Sequence, residues 1–519
     1  MRQALRLTAM AALSLGLMLA YRARHPSVRH HSTLHQHFSV PGSPQHELGA
    51  LQSPPQLATP STEHLLSAEG QSPRGARPAA ALSSVPSPPA PSQGTIKPQL
   101  KKILSDAPAA QLAPLLELAL RSQQLRIFIY SFPAREAWSA TNLSLSFPSC
   151  KRFQWSGDWE LIERVRSSDL LVADGETADF YLVPFLSKCY FNYVARYRLH
   201  AMDSVMSQER LLASCTTPVL LFDTLALWQV VAFLHQTPWW RLRPDRHLFF
   251  FMSGAGAGIV PSWRAMIANA IFIVAEGDRE ASYFRPGVDV IVPGKISVPV
   301  KTNPRPLHQR GLLASFRGSL DASLRSADGS RVRQENKLRR LLSRELQGKK
   351  SVVFSGHKSK SYLQEMDNSC YCIIPRGNTP WTRRFFDAAV RGCIPAVLSD
   401  PVAFPFEQFI DYTQLSIKFP EQWFRKFIDE LRAINQTAGS GLQQRLLRTW
   451  PAFVFDDGCA FDLFLMELAS RVRIPGSSGR SWRGTTNSLH HFWSPTRGRF
   501  QEPTVVKVGH SWGAGAIPH

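Results

Sequence analysis

The chain has 519 residues, enough for two domains with well-developed cores. Its 60 Lys and Arg against 39 Asp and Glu leave a net charge of +21, a balance that suits nucleic acid, an anionic membrane or an acidic glycan. The excess is scattered, concentrating only over 331–350 and after Arg471, and is not interleaved with aromatics, which argues against a nucleic-acid-binding protein.

In chain order, Arg2 and Arg6 precede an apolar run from Leu7 to Tyr21, and Arg22 and Arg24 follow it. Met18 sits at the third position before a break after Ala20, so a cleavage site of small residues is poorly formed. Residues 1–24 therefore read as a cytoplasmic stub and an uncleaved signal anchor, short enough for the thinner early-secretory membranes. Residues 25–113 are dominated by Pro, Ser, Ala and Gln, with no aromatic residue between Phe38 and Phe128. Such a segment buries too little to fold and reads as a disordered stem, its His30-His31 run a solvated linker.

A first α/β domain is expected over 114–300. A helix-like run covers Pro114 to Leu120, and strands follow at Leu125–Tyr130, Phe180–Phe185, Val219–Phe222 and His247–Met252. A second domain is expected over 301–420, with strands at Leu312–Phe316 and Val352–Ser355 and a basic helix from Arg331 to about Leu346. Its centre is Tyr371–Leu398: a strand, a turn at Arg376-Gly377-Asn378, a Thr379 cap with Pro380 at the first helical position, a helix to Arg391, and a second strand. Gly392 is placed to stop the helix in a left-handed conformation. Arg383 and Arg384 in the first turns, with the positive end of the helix dipole, suit a phosphate, and Asp387 suits a ribose hydroxyl. The same spacing also fits a core helix with solvated arginines, since no GxGxxG or Walker pattern is present. Helices are expected over 421–474, around Gln422–Arg432 and Gly441–Leu447, and a disordered tail over 475–519.

Ser369, Tyr371, Cys372, Pro375, Gly377, Thr382, Arg384, Asp387 and Gly392 to Ala396 together resemble the C-terminal signature of the exostosin family, glycosyltransferase family 47. Arg317-Gly318 resembles the family's Phe-Arg-Gly, and Ala178–Phe185 its Ala-Asp-x-Phe-x-x-Pro-Phe segment. The resemblance implies a GT-B fold of two Rossmann-like domains. The second would hold a nucleotide sugar, expected to be UDP-linked, through Arg317, Gly377, Thr382, Arg383, Arg384 and Asp387. It further implies an inverting glycosyltransferase acting on a glycan or polysaccharide acceptor, placed as a single-pass type II protein of the Golgi membrane, alone or in a homo- or hetero-oligomer. An inverting transfer needs a base for the acceptor hydroxyl, and Asp245, His247 and Glu276 are the candidates. Around them the resemblance weakens: Arg246 occupies a usual Asp position, and Gly254-Ala255-Gly256-Ala257 replaces a His-Asp pair. That erosion keeps open a non-catalytic exostosin-like subunit, with a nucleic-acid-binding protein the remote alternative.

No Asp-x-Asp motif is present, so the expectation is a metal-independent enzyme with no cofactor, the nucleotide sugar being a substrate. Asn142 and Asn435 head glycosylation sequons. Of the seven cysteines, Cys150, Cys189 and Cys215 form the pool for disulfides in the first domain, while Cys370 and Cys372 face opposite sides of a strand and make a poor zinc pair.

Overall fold

A computed structural model describes residues 95–132, 156–190, 229–252, 256–259, 266–296, 298–325, 331–357, 359–377 and 379–472. The Leu7–Tyr21 run, Asn142, the expected strand at Val219–Phe222 and the tail after 472 lie outside these residues. Among the described residues no helix is long and apolar enough to cross a membrane.

Among the described residues, two parallel sheets form the framework. The first contains β1 (Ile127–Ile129), β2 (Leu171–Val172), β3 (Phe180–Leu182), β4 (His247–Phe251), β5 (Ile271–Val274) and β7 (Val290–Ile291), in the order β2-β1-β3-β4-β5-β7. The second contains β8 (Leu312–Arg317), β11 (Val352–Ser355), β12 (Ser369–Pro375), β13 (Ile394–Leu398) and β15 (Ile417–Phe419), in the order β11-β8-β12-β13-β15. Ranked by position in the chain, both sheets begin 2-1-3-4-5, the flavodoxin-like doubly wound order. Their strands read as unbroken apolar runs because both faces are covered: β4, β5 and β13 are buried at every position.

Two short strands join the sheets. Glu276 follows β5, and β6 (Gly277–Asp278) then pairs antiparallel with β14 (Val402–Ala403), which follows β13. Arg279 N donates to Pro401 O at 2.9 Å, and the Arg279 guanidinium pairs with Glu407. The carboxyl ends of β5 and β13 are thereby brought to one seam, the arrangement of a GT-B-like α/β protein.

Folding starts earlier than composition indicates. Helix α1 (Pro98–Leu104) lies within the stretch expected to be stem, while α2 (Ala109–Ser122) starts in its last residues and contains the helix-like run expected at Pro114 to Leu120; together they bury Leu100, Ile103, Leu104, Leu115 and Leu118. Their apolar spacing of three and four residues makes a core face without any aromatic residue. At the other end of the fold, α9 (Ala460–Ala469) packs on α2, with Arg121 Nη2 donating to Ala469 O at 3.4 Å and Val472 O at 3.1 Å.

Between β8 and β11 the expected basic helix is also different. Arg331 and Arg333 belong to β10 (Arg331–Glu335), which forms a hairpin with β9 (Asp321–Arg325), and helix α4 (Lys337–Glu345) begins only after Asn336. The Asn336 side chain caps that helix by accepting from Arg339 N at 3.0 Å. Further on, α5 (Tyr362–Asp367) precedes β12, α6 (Arg384–Val390) joins β12 to β13, and α7 (Phe427–Ala433) and α8 (Gln436–Thr449) follow the second sheet. Gly392 has φ +66°, the left-handed stop expected after α6, and a Cβ there would lie 2.8 Å from that of Pro304.

Candidate active site

The sheet order locates the site. In doubly wound sheets ligands gather beyond the carboxyl ends of the strands, where the strand order reverses. In the second sheet that point lies between β8, which ends at Arg317, and β12, which ends at Pro375. Four guanidinium groups converge there, from Arg317, Arg339, Arg383 and Arg384, against two carboxyls, Glu365 and Asp387.

Arg384 is the most enclosed of them, 6% exposed. Its Nε donates to Ile373 O at 3.2 Å and Nη2 to Ser315 O at 2.9 Å, which ties β12 to β8. The guanidinium lies 5.4 Å from the ring centre of Phe316 and 5.2 Å from that of Tyr362, and Nη1 has no partner. Arg339 flanks the same Phe316 ring at 5.3 Å and donates to Arg376 O, Pro375 O and Ser319 O. Burial, followed by the charge of Arg384, lowers the Arg339 guanidinium to about 10. Packing two arginines about one ring leaves a positive excess.

Arg317 stands at the end of β8 as expected and forms a two-pronged ion pair with Glu365 of α5, at 2.5 and 2.6 Å. Ser361 Oγ donates to the same carboxylate at 2.7 Å. Asp387 is enclosed: Oδ2 accepts from Tyr362 OH at 3.0 Å and Arg383 Nε at 3.2 Å, while Oδ1 has no partner. Burial pushes Tyr362 up to about 12, so it remains a hydroxyl donor at any physiological pH. Gly377 leaves room for Arg339, whose Nη2 would be 3.2 Å from a Cβ at that position, and Thr382 Oγ1 accepts from Arg384 N at 3.3 Å.

The helix itself is shorter than the spacing predicts. It starts at Arg384, not Trp381, because Glu276 of the first domain takes the Trp381 N–H at 3.1 Å and holds Pro380–Thr382 as a loop. With two turns, α6 offers little dipole, and the arginine side chains carry the positive field.

The three candidate bases are separated. Asp245 is exposed and His247 opens β4, so both lie at the amino end of the first sheet, opposite the seam. His247 is fully buried between stacked Tyr181 and edge-on Trp240, with Nε2 2.8 Å from Tyr130 OH and Nδ1 2.9 Å from Arg243 O. Burial lowers its imidazole to about 4, which keeps it neutral. Glu276 alone stands at a carboxyl strand end and at the seam. Burial pushes its carboxyl up to about 8 against the pull of Thr379 and the Trp381 N–H, and Oε2 has no partner.

That shift has a measurable sign. The folded protein keeps the Glu276 proton where the unfolded chain, titrating at 4.5, loses it, so its contribution to stability is complete below about pH 4.5 and disappears as pH rises towards 8. The isosteric Glu276→Gln cannot titrate. Its melting temperature relative to the parent should rise steadily between pH 5 and pH 8, by the equivalent of a few kcal/mol at about 1.4 kcal/mol per tenfold change in proton affinity. A constant difference across that range would show that the carboxyl titrates normally.

Residues 121–434, spanning both sheets and the seam, match the Exostosin GT47 domain. The chain belongs to the exostosin GT47 family. A probable glucuronoxylan glucuronosyltransferase of Arabidopsis thaliana is 22% identical over 336 residues, covering 62% of this chain and 66% of that protein, just under two thirds of its length. A probable glucuronosyltransferase of Oryza sativa subsp. japonica is 22% identical over 394 residues, 70% of this chain and 86% of that protein. A probable arabinosyltransferase of Arabidopsis thaliana is 26% identical over 267 residues, 49% of this chain and 52% of that protein.

Within this exostosin GT47 chain, Tyr362, Glu365 and Arg339 join the site without having been singled out in the sequence. The only sequence cue to Arg339 is the capping Asn336 three residues before it. Cys372 of β12 forms a disulfide with Cys393, the residue just before the adjacent β13, and Cys189 is also disulfide-bonded, while Cys370, on the opposite face from Cys372, is a free thiol.

Proposed function

We propose that this protein is an inverting glycosyltransferase that moves a sugar from a UDP-linked donor to a glycan acceptor. The observation that carries this reading is the arginine cluster at the switch point of the second sheet, opposite a first-domain carboxyl across the seam. An anionic diphosphate meets the free edge of Arg317, whose remaining nitrogen Nη1 is held only by a 3.4 Å contact to His357 O, with Arg383 and Arg384 behind it. Glu276 positions the donor loop through the Trp381 N–H. Leaving-group charge is stabilised by guanidinium groups, and metal independence is part of the proposal.

The family membership and the relatives' names support this chemistry; the Golgi membrane setting is part of the proposal, resting on the family resemblance, with the N-terminal apolar run as its anchor. Binding of UDP and a panel of nucleotide sugars, with and without EDTA, tests it. Parent protein should bind with EDTA present, and Arg317→Ala should bind UDP about ten- to a hundredfold more weakly. Binding that only Mn²⁺ or Mg²⁺ restores would overturn metal independence, and an unchanged Arg317→Ala would remove the diphosphate from this site. A chain that binds donor but transfers to no acceptor would instead be a non-catalytic subunit, the reading favoured by the displaced Asp245 and His247.

A further inference from the structure

Helix α3 (Gly157–Arg166) carries the chain from β1 towards β2, and its first turn lies at the carboxyl end of the first sheet. A Cβ on Gly157 would fall 2.4 Å from the Met252 methyl, just past β4, and 3.7 Å from Pro293 O, just past β7. Since β5 lies between those strands, the start of α3 spans the strand that leads into Glu276.

Asp158 in that turn is 0% exposed. Its Oδ1 accepts from Trp159 N at 2.7 Å, and Oδ2 has no hydrogen-bond partner. The neighbouring basic groups are engaged elsewhere: Lys295 and Arg164 both pair with Glu160, at 2.8 and 3.0 Å. A buried carboxyl left half-satisfied is costly, and a packed asparagine or leucine would avoid that cost. Its open oxygen can accept one further hydrogen bond, and a substrate hydroxyl is a donor of the right kind.

We propose that Asp158 is a further catalytic residue, whose Oδ2 accepts the proton of the acceptor hydroxyl. This rests on the glycosyltransferase reading above. The acceptor oxygen forms the new bond to the anomeric carbon. The bond from that carbon to the donor phosphate oxygen breaks, its electron pair leaves with the nucleoside diphosphate, and the proton passes to Asp158 and then to water. To reach it, the acceptor must part the first turn of α3 from the strand ends. Burial raises the Asp158 carboxyl to about 7, near the operating pH that a general base needs, whereas Glu276 at about 8 stays protonated and holds the donor loop.

The test measures nucleoside diphosphate release by the purified chain across nucleotide sugars, with saccharides or water as acceptor, alongside UDP binding. Asp158→Asn should lower kcat about a hundred- to ten-thousandfold with UDP affinity and melting temperature preserved, and Asp158→Glu should recover part of the rate. The parent's rate should fall on the acid side of about pH 7, and the residual rate of Asp158→Asn should lose that limb. Asp158→Ser serves as a second variant should the asparagine fold poorly. Parental kcat, or an unmoved acid limb, in a folded variant overturns the proposal alone. A parent that releases diphosphate from no donor sinks the glycosyltransferase reading and this proposal together.

Discussion

Arg384→Ala should unfold the second domain more readily before it tells anything about nucleotide. The substitution removes two hydrogen bonds that tie β12 to β8, and the cation between Phe316 and Tyr362. It also leaves Asp387 buried with Arg383 as its remaining cation. Breaking such a buried charged network costs roughly 3–5 kcal/mol, which for domains of this size lowers the melting temperature by about 10 °C. Arg384→Lys should restore little, because an ammonium cannot reach two carbonyls on different strands while lying flat between two rings. Thermal melts of parent and both variants decide the matter. If Arg384→Ala melts with the parent and loses only UDP binding, the residue belongs to the ligand rather than to the sheet.

The second large effect is expected from the last helix. Ending the chain after Gly458 removes α9, and with it Leu463, Phe464, Leu465, Met466 and Leu468, each 4% exposed or less. At about 1.5–3 kcal/mol for each fully buried side chain, the loss rivals the 5–15 kcal/mol that ordinarily holds a domain together. We expect insoluble protein on expression. Asp462→Ala, which breaks only the half-exposed pair with Lys97, should melt within a few degrees of the parent. A soluble, cooperatively melting chain without α9 would show that α2 does not depend on it.

Much of the second sheet is legible because its strands are continuous apolar runs and Gly392 sits in a position with few alternatives. What could not be read was set by contacts distant in sequence. Trp381 looks helical by local rules, yet its N–H is taken by Glu276, 105 residues earlier. Arg331 and Arg333 sit in a basic stretch that fits a helix, but pair as a strand with residues before 326. Composition puts the stem boundary too late, past α1 and the start of α2, because it counts aromatics, whereas these turns are held by leucines and α2 packs on a helix some 350 residues away. At the site, Arg317, Arg384 and Asp387 are marked by their motif and Arg383 by its place at the helix start, and the four do cluster. Tyr362 and Glu365 carry no pattern of their own, and only the fold brings α5 beside α6. Asp158 likewise carries no pattern: a single aspartate at a helix start reads as an ordinary cap, and only the fold leaves its second oxygen without a partner.

The disulfide between Cys372 and Cys393 closes a covalent ring around α6 and the loop before it. A ring of this size constrains the unfolded chain by about 3 kcal/mol in the loop-entropy account, but it has another consequence. Any protease that cuts between residues 373 and 392 leaves the two halves of the protein attached to each other. The nicked molecule keeps its mass on a non-reducing gel and separates only once a thiol reagent is added, so damage within the ring stays hidden from every assay that measures size without reduction.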